Sequence, residues 1–428
     1  MRILVIGGGG REHALCWKLK QSPLLSELHC TPGNAGIAQI AQIHSGDPLA
    51  VAQQIGAEFV VVGPDAYLAE GLVDRLNAAG IPAFGPTQRG AQLEASKIFC
   101  KELLKNYGIP TGDFEPFETP EEAKAYLNDY DVTGPIVVKA DGLAVGKGVV
   151  IAPDRDAAID AVDEVLGIAQ ATMPDASTRI LIEEFMQGEE VSLLALTDGE
   201  NLLPLVPAQD HKRVGEGDSG PNTGGMGCYS PVPSFTAEMY EAAVETILKP
   251  TVQALKSEGI EYRGVLYAGL MLTENGIKVL EYNCRFGDPE TQVVLPRLQS
   301  DLLPLLLACA GVSEYSLPDV PCEWTDDAGV CVVLASEGYP GNYRKGDVIS
   351  GLDEAQTEGA LVFHAGTAQR EGAIVTSGGR VLAVTALGSD FQAARKNCYG
   401  AVEQIHFEGA HFRRDIGWRC LQAQDAQP

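Results

Sequence analysis

The first twenty residues constrain the fold most. Arg2 to Ile6 (RILVI) is an apolar strand, Gly7 to Gly10 a glycine turn, and Arg11 to Lys20 an amphipathic stretch. A strand that runs through a glycine turn into a helix opens a doubly wound α/β domain. Further strands at Glu58–Val62 and Ile81–Phe84, with a helix at Leu68–Ala79 between them, keep the alternation going. Such alternation builds a parallel sheet, with ligands held at the turns after the strand ends. The turn does not fit a dinucleotide site. No start position gives G-x-G-x-x-G, because the sixth place falls on Glu12 or His13. The acid wanted ~20 residues later for ribose hydroxyls is replaced by Leu28-His29-Cys30. A nicotinamide or flavin oxidoreductase is disfavoured. Free amides at the helix start could hold a phosphate, or the turn is only a tight connection.

Bulk properties narrow the classes. A chain of 428 residues suggests several domains, and 45% hydrophobic content supplies ample core. A net charge of −27 argues against a nucleic-acid or anionic-membrane surface. Anionic ligands must then be held by local basic groups, backbone amides or a metal. The ten cysteines are scattered without any C-x-x-C pair, which favours reduced thiols over disulfides or a zinc site. The longest apolar run, Leu302 to Val312, is far short of the ~20 residues of a membrane helix. The expectation is a soluble, cytoplasmic protein.

A second region begins near Ile109-Pro110. Thr119-Pro120-Glu121-Glu122 is a helix start with Thr as cap and Glu closing the capping box. Strands at Pro135–Ala140 and Val149–Ala152 flank a loop with Gly142, Gly146, Lys147 and Gly148. Lys139 and Lys147 among these glycines point to phosphate, although the spacing is not G-x-x-x-x-G-K-[ST]. Asp154 caps a helix over Ala157–Leu166. Arg179–Phe185 is a strand tipped by Glu183 and Glu184, followed by Glu189 and Glu190. Acids there accept from an adenine amine or a ribose hydroxyl, or simply face solvent. Val191–Thr197 and Leu202–Pro207 read as a hairpin, and Gly215–Ser234 shows no strand or helix pattern. A loop of that length in a compact protein is functional or disordered, and Met226, Tyr229 and Phe235 argue against disorder.

Ile277 to Gln292 (IKVLEYNCRFGDPETQ) carries the densest chemistry. On a strand running through Arg285, Glu281, Asn283 and Arg285 share one face. A carboxylate, an amide oxygen and a guanidinium in a row suit a metal–phosphate site, since Mg²⁺ takes hard oxygens and shares them with phosphates. A solvated strand ending in a Gly287-Asp288-Pro289 turn is the plain alternative. Thr291–Ala310 looks like one helix, and strands at Val330–Ala335, Leu361–His364 and Arg380–Ala386 with a helix at Phe391–Ile405 close the chain. The expected plan is an N-terminal doubly wound domain over 1–105, a central region over 106–325 with a mobile flap at about 120–190, and a small α+β domain over 326–428.

The order of the motifs is more specific than any one of them. VVKADGLAVGKGV (Val137–Val149), ILIEEFMQGEE (Ile180–Glu190), QDHKR (Gln209–Arg213), GPNTGGMG (Gly220–Gly227) and EYNCRFGDPET (Glu281–Thr291) resemble the ATP-grasp ligases. Within them the chain is most similar to the phosphoribosylamine–glycine ligase family. VIGGGGREHAL, PGNAG (Pro32–Gly36), VGPD (Val62–Asp65), LEASK (Leu93–Lys97), GYPGNYRKGDVISG (Gly338–Gly351), VFHAGT (Val362–Thr367) and RRDIGWR (Arg413–Arg419) extend the resemblance over the whole chain. It implies a central ATP-grasp fold and ligation of glycine to 5-phosphoribosylamine in purine biosynthesis, with ATP as co-substrate and Mg²⁺ or Mn²⁺ as the metal.

The resemblance also implies roles. Glu281 and Asn283 bind the metal, while Arg285, with Lys139 and Asp288, serves the phosphoryl transfer. Lys97, Lys139, Gly146, Lys147 and Gly148 hold ATP phosphates; Glu183, Glu184 and Phe185 form the adenine hinge, and Glu190 meets the ribose. Gly9, Gly10, Asn34, Gly36, Asp65, Asn222, Thr223, Gly224 and Gly225 face the phosphoribosylamine, and Asp210 and Asp288 grip the glycine amine. Asp65 stands where the family has a glutamate, and the strand before Glu281 offers Tyr267-Ala268-Gly269 with no acid for a second metal. The partners are small molecules, with no nucleic acid and no membrane, and the expected state is a monomer. Rival readings are an ATP-grasp ligase for another acid or amine, and a non-catalytic nucleotide-binding protein.

Overall fold

Ile3, Leu4, Val5 and Ile6 are all fully buried, as a strand covered on both faces must be. In the computed structural model, which describes residues 1–130, 134–143, 148–172, 178–312, 315–357 and 359–425, Arg2–Gly7 is the middle strand of a five-stranded parallel sheet. Glu27–Pro32 and Phe59–Val62 flank it, and Gln42–Ile43 and Ala83–Phe84 form the edges. This is the doubly wound sheet that the opening residues predict. The single helix expected over Leu68–Ala79 is two, Asp65–Ala69 and Leu72–Ala78, because Gly71 between them takes a left-handed φ of 76°.

The flap region is a four-stranded antiparallel sheet in the order Phe114–Phe117, Ile180–Glu184, Ile136–Ala140, Val149–Ala152. The helices Pro120–Asp129 and Arg155–Thr172 cover one face through Ala123, Leu127, Ala158, Val162 and Val165. The Thr119–Glu122 capping box and the Asp154 cap both form.

A second antiparallel sheet runs Leu202–Pro204, Glu189–Thr197, Gly264–Thr273, Gly276–Asn283. Its last pairing contains a bulge, since Gly269 pairs with Glu281 and Leu270 with Val279, so Leu280 has no partner. A bulge re-aims the side chains that follow it. Val279, Tyr282 and Cys284 therefore enter the core, while Glu281, Asn283 and Arg285 stay half-buried on the open side. The strand ends at Asn283 rather than Arg285, but the alternation continues through the last two residues.

Two further expectations are corrected. Gly215–Ser234 is not free of strands: Ser219–Asn222 pairs with Arg213–Gly215, and Gly227–Ser230 joins the final sheet. Short strands rich in Gly and Pro show no side-chain alternation for a sequence reading to find. The helix expected over Thr291–Ala310 breaks into Glu290–Arg297 and Leu302–Cys309, with Pro296 in the first and Asp301 capping the second by accepting from the Leu303 amide at 3.0 Å.

The final antiparallel sheet has the order Gln209–Asp210, Gly227–Ser230, Ala328–Ala335, Arg380–Gly388, Leu361–His364, and the helix Phe391–Val402 packs on it. Two of its strands come from the middle of the chain. The sheet thus carries Asp210 and the Asn222–Gly225 loop to the side of Arg380.

Candidate active site

Lys139, on the central flap strand Ile136–Ala140, is buried and pairs with Glu183 Oε1 at 2.8 Å. Lys101, from the helix Lys97–Asn106, takes the other carboxylate oxygen at 2.9 Å and donates to Thr111 Oγ1 at 2.8 Å. Two buried ammonium groups thus share one buried carboxylate, leaving one positive charge in excess. Burial would raise the Glu183 carboxyl, but Lys139 and Lys101 outweigh it and hold the group below the usual range. Both Glu183 oxygens therefore face lysines. Glu184 is half-buried and accepts from Lys278 at 2.6 Å, and Phe185 is 41% exposed, an apolar face with room for a flat ring. Lys97 donates to the Gly142 carbonyl at 2.6 Å, and burial lowers its ammonium pKa. Gly148 is buried and its carbonyl accepts from the Ala140 amide at 3.0 Å. Gly146 and Lys147 lie outside the described residues.

The open wall is the bulged strand. Among the described residues no hydrogen bond reaches the Glu281 side chain, and its closest cation, Lys212 Nζ, stands 3.9 Å away. Burial would raise its carboxyl; Lys212, Lys139, Lys97 and Arg285 together keep it below the usual value, hence ionised. Asn283 Oδ1 accepts from Arg285 Nη2 at 2.9 Å. Two hard oxygens thus face the cleft beside three lysines and an arginine. Among the described residues no three His, Cys, Asp or Glu side chains gather into a closed metal cage. An ion held here by Glu281 and Asn283 would draw its other oxygens from a ligand, as Mg²⁺ does with phosphates. Glu190 joins the same cleft through Lys212 at 2.7 Å.

At the other end of the cleft, Asp210 is pushed well above the carboxylate range by burial and by the neighbouring Glu290. Glu290 Oε1 accepts from Tyr267 Oη at 2.7 Å and Ser192 Oγ at 3.1 Å. Asp288 goes the opposite way. Burial would raise it, but Arg380, Arg11 and a 2.6 Å bond from Gln292 hold its carboxyl low. Arg380 bonds Asp288 Oδ2 at 3.0 Å, the Asp288 carbonyl at 2.8 Å and the Gly224 carbonyl. The Tyr339 hydroxyl accepts from the Gly224 amide at 3.0 Å, and Thr223 bonds Lys212 through its amide and its hydroxyl. Gly225 has a φ of 112°, and a Cβ there would lie 2.4 Å from Pro289 Cδ. The Asn222–Gly225 loop is therefore pinned over the Asp288 turn.

The N-terminal turn differs from its expected form. Glu12 folds back into it, accepts from the Gly9 amide at 2.7 Å and pairs with Arg11. One of the amides expected to meet a phosphate is thus taken, with a carboxylate in its place. Gly9 and Gly10 do border the cleft, beside Asp288 and Gln292. Asn34 and Gly36 do not present free groups to it. Asn34 donates to the Gly8 and His364 carbonyls at 2.9 and 2.7 Å and accepts from the Gly36 and Ile37 amides at 2.9 Å. A Cβ on Gly36 would meet His13 and His364 at 2.5 Å, so its role is close packing. Asp65 opens a short helix half-buried near Arg285 and Glu94, whose charges it influences.

Sequence and structure comparisons settle the family. Models of the phosphoribosylglycinamide synthetase N domain, ATP-grasp (A) domain and C domain match residues 1–94, 95–291 and 329–419. The chain belongs to the phosphoribosylglycinamide synthetase family. Family relatives include the phosphoribosylamine–glycine ligases of Rhizobium meliloti, 49% identical over 100% of both chains, and of Caulobacter vibrioides, 50% identical over 99% of each. The crystal structure of the Thermotoga maritima phosphoribosylamine–glycine ligase superposes with a TM-score of 0.84 at 37% identity, covering 97% of this chain and 100% of that one. A biotin carboxylase from Campylobacter jejuni, at 13% identity and a TM-score of 0.72 over 96% of this chain and 92% of that one, shares the fold.

Several residues of this synthetase-family cleft escaped the sequence reading. Lys101 lies one turn from Lys97 on the same helix, a spacing that was there to be read. Lys212 sits within QDHKR, two residues from Asp210. Glu12, Glu94, Glu290 and Arg380 act through partners distant in the chain, or, for Glu12, by filling the turn before it. No local pattern marks them.

Proposed function

We propose that the protein joins glycine to 5-phosphoribosylamine with ATP, giving glycinamide ribonucleotide, ADP and phosphate in purine biosynthesis, and that it acts in the cytoplasm. The observation that carries this reading is the near-50% identity, end to end, with phosphoribosylamine–glycine ligases. Among the described residues no helix is long and apolar enough to cross a membrane.

A carboxylate cannot be converted directly to an amide, because its oxygen is too poor a leaving group. The glycine carboxylate attacks the γ-phosphorus of ATP, the bond to the β-phosphate oxygen breaks, and glycyl phosphate and ADP form. The phosphoribosylamine nitrogen then adds to the acyl carbon, the tetrahedral intermediate expels phosphate, and the nitrogen loses a proton to solvent. Phosphoryl transfer asks for placement and charge neutralisation. Lys139 and Lys97, with the loop bearing Gly146, Lys147 and Gly148, supply that charge to the phosphates. Phe185 and Glu184 flank the base, and Glu190 the ribose. Glu281 and Asn283 would hold Mg²⁺ or Mn²⁺, which when bound neutralises phosphate charge. Arg285, whose guanidinium is only partly exposed and keeps a buried Nε without a hydrogen-bond partner among the described residues, serves the transferring group or the glycine carboxylate. Asp210 and Asp288 receive the glycine ammonium; a cation between Asp210 and Glu290 would offset the burial and the like charge that push Asp210 up. Gly9, Gly10, Asp65 and the Asn222–Gly225 loop border the phosphoribosylamine.

The test is ATP cleavage with each substrate omitted in turn. ADP release should require glycine, and glycinamide ribonucleotide should appear only with both glycine and phosphoribosylamine present. Turnover that ignores glycine, or that prefers another acid, would transfer the chain to a different ATP-grasp activity.

A further inference from the structure

Glu94 has no place in the reading above, yet it is wired into the wall that does the chemistry. It lies in the last turn of the helix Gln88–Ala95, and its side chain is only 8% exposed. Oε2 accepts from the Cys284 amide at 2.8 Å and from Cys284 Sγ at 3.1 Å. Oε1 accepts from Arg285 Nη2 at 2.9 Å, across 191 positions of sequence. The same Nη2 donates its second proton to Asn283 Oδ1, also at 2.9 Å.

This shared nitrogen has a geometric consequence. Both protons of Nη2 are committed, one to Glu94 and one to Asn283, so the guanidinium plane is set by the two acceptors together. An asparagine side chain can turn either its oxygen or its NH₂ to a given neighbour. The Arg285 proton selects the oxygen and holds it beside Glu281, leaving its second lone pair for a cation. Without Glu94 the guanidinium keeps only the Asn283 bond itself and a weaker one, Nη1 to the Phe286 carbonyl at 3.3 Å, so the group that orients the Asn283 amide loses its charged anchor. Glu94 also bonds the backbone between these two residues, so it grips the wall at Cys284 as well as through Arg285.

We propose that Glu94 is a positioning residue: through Arg285 it orients the Asn283 oxygen and so seats the metal–phosphate wall against the end of the N-terminal region. This rests on the assignment of Glu281 and Asn283 to the metal. Glu94→Gln keeps an acceptor oxygen for one partner and removes the charge, while Glu94→Ala removes both acceptors. The probe is Mn²⁺ binding to the full chain with ADP present, followed by electron paramagnetic resonance, alongside the unfolding midpoint and steady-state kinetics. Mn²⁺ affinity should fall about 10–100-fold in Glu94→Ala and by less in Glu94→Gln, the range seen when groups that orient metal ligands are removed. In Glu94→Gln, kcat should fall while KM for phosphoribosylamine and the far-ultraviolet circular dichroism stay unchanged. Native Mn²⁺ affinity in both variants, with only the unfolding midpoint lowered, would make Glu94 a structural residue and overturn the proposal. Asn283→Ala separates the two levels. If it loses Mn²⁺ binding while the Glu94 variants keep it, only the positioning role fails. If it too binds normally, the metal assignment beneath the proposal fails.

Discussion

Glu183 and Glu281 stand on two sheets lining one cleft, both expected to meet ATP or its metal, and the structure puts them in opposite conditions. Glu183 has a side chain 2% exposed and an ammonium on each oxygen. Glu281 is 41% exposed, with its nearest cation at 3.9 Å. Both carboxyls are held below their usual range by lysines, so titration does not distinguish them. Partnership does. A buried carboxylate whose two oxygens are matched by lysines belongs to the scaffold, and it presets Lys139 in the cleft. An ionised carboxylate that no donor reaches, beside an amide oxygen, has its coordination left for a ligand. Burial of a charge and availability of a charge are separate properties, and the sequence displays neither.

The largest effect expected from this contrast is on stability. Glu183→Gln leaves Lys101 and Lys139 buried and facing each other across a neutral amide. Removing one partner from a buried ionic cluster costs about 3–5 kcal/mol. Urea unfolding of the variant should show a loss of that size. A loss below about 1 kcal/mol would mean that the lysines find water or shed a proton, and Glu183 would no longer contrast with Glu281.

Glu281→Gln should do the reverse. No donor loses its partner, so the unfolding free energy should stay within about 0.5 kcal/mol of the native protein. A neutral amide makes a poor metal ligand, and kcat should fall at least about a hundredfold with circular dichroism unchanged. Native turnover in this variant would refute the metal assignment outright.

How much of this was legible depended on distance along the chain. The parallel sheet followed from RILVI and its glycine turn, because strand and helix periods are local. The row Glu281, Asn283, Arg285 was legible for the same reason, although the bulge at Leu280 that turns it toward the cleft was not. Residues whose meaning lies in a partner far away stayed hidden: Glu94 needs Arg285, Lys101 needs Glu183, and Arg380 needs the Gly224 carbonyl. The phosphate reading of Gly7–Gly10 lost ground to Glu12, whose carboxylate fills the turn its own glycines open. Asn34 ties down its own loop, and a polar residue beside glycines looks the same in sequence whether it does that or binds a ligand.

The smallest expected effect is a change in the shape of stability against pH. Burial holds His13 at about 3, His364 at about 4 and His211 at about 3, the last helped down by Arg413 and Arg419. His13 accepts from the His364 amide at 2.8 Å where the first and last regions meet, a bond that needs neutral Nδ1. These folded values lie below the unfolded ~6.5, so their contribution is complete above about pH 6.5 and is lost as pH falls toward 4 and 3. Glu183 also has a depressed folded value, but its unfolded reference is ~4.3, so its contribution disappears only below that pH. The histidines act alone from about pH 6.5 to 4.3, and both windows are open below that. Urea midpoints from pH 7 to 3 should therefore fall in two stages, the upper from the histidines and the lower from paired carboxylates. Glu183→Gln should flatten part of the lower stage and leave the upper one intact, while Glu281→Gln, whose nearest lysine stands 3.9 Å away, should flatten it less. An unchanged lower stage in Glu183→Gln would show that Lys101 and Lys139 do not hold Glu183 ionised, and the difference between the two glutamates would reduce to exposure alone.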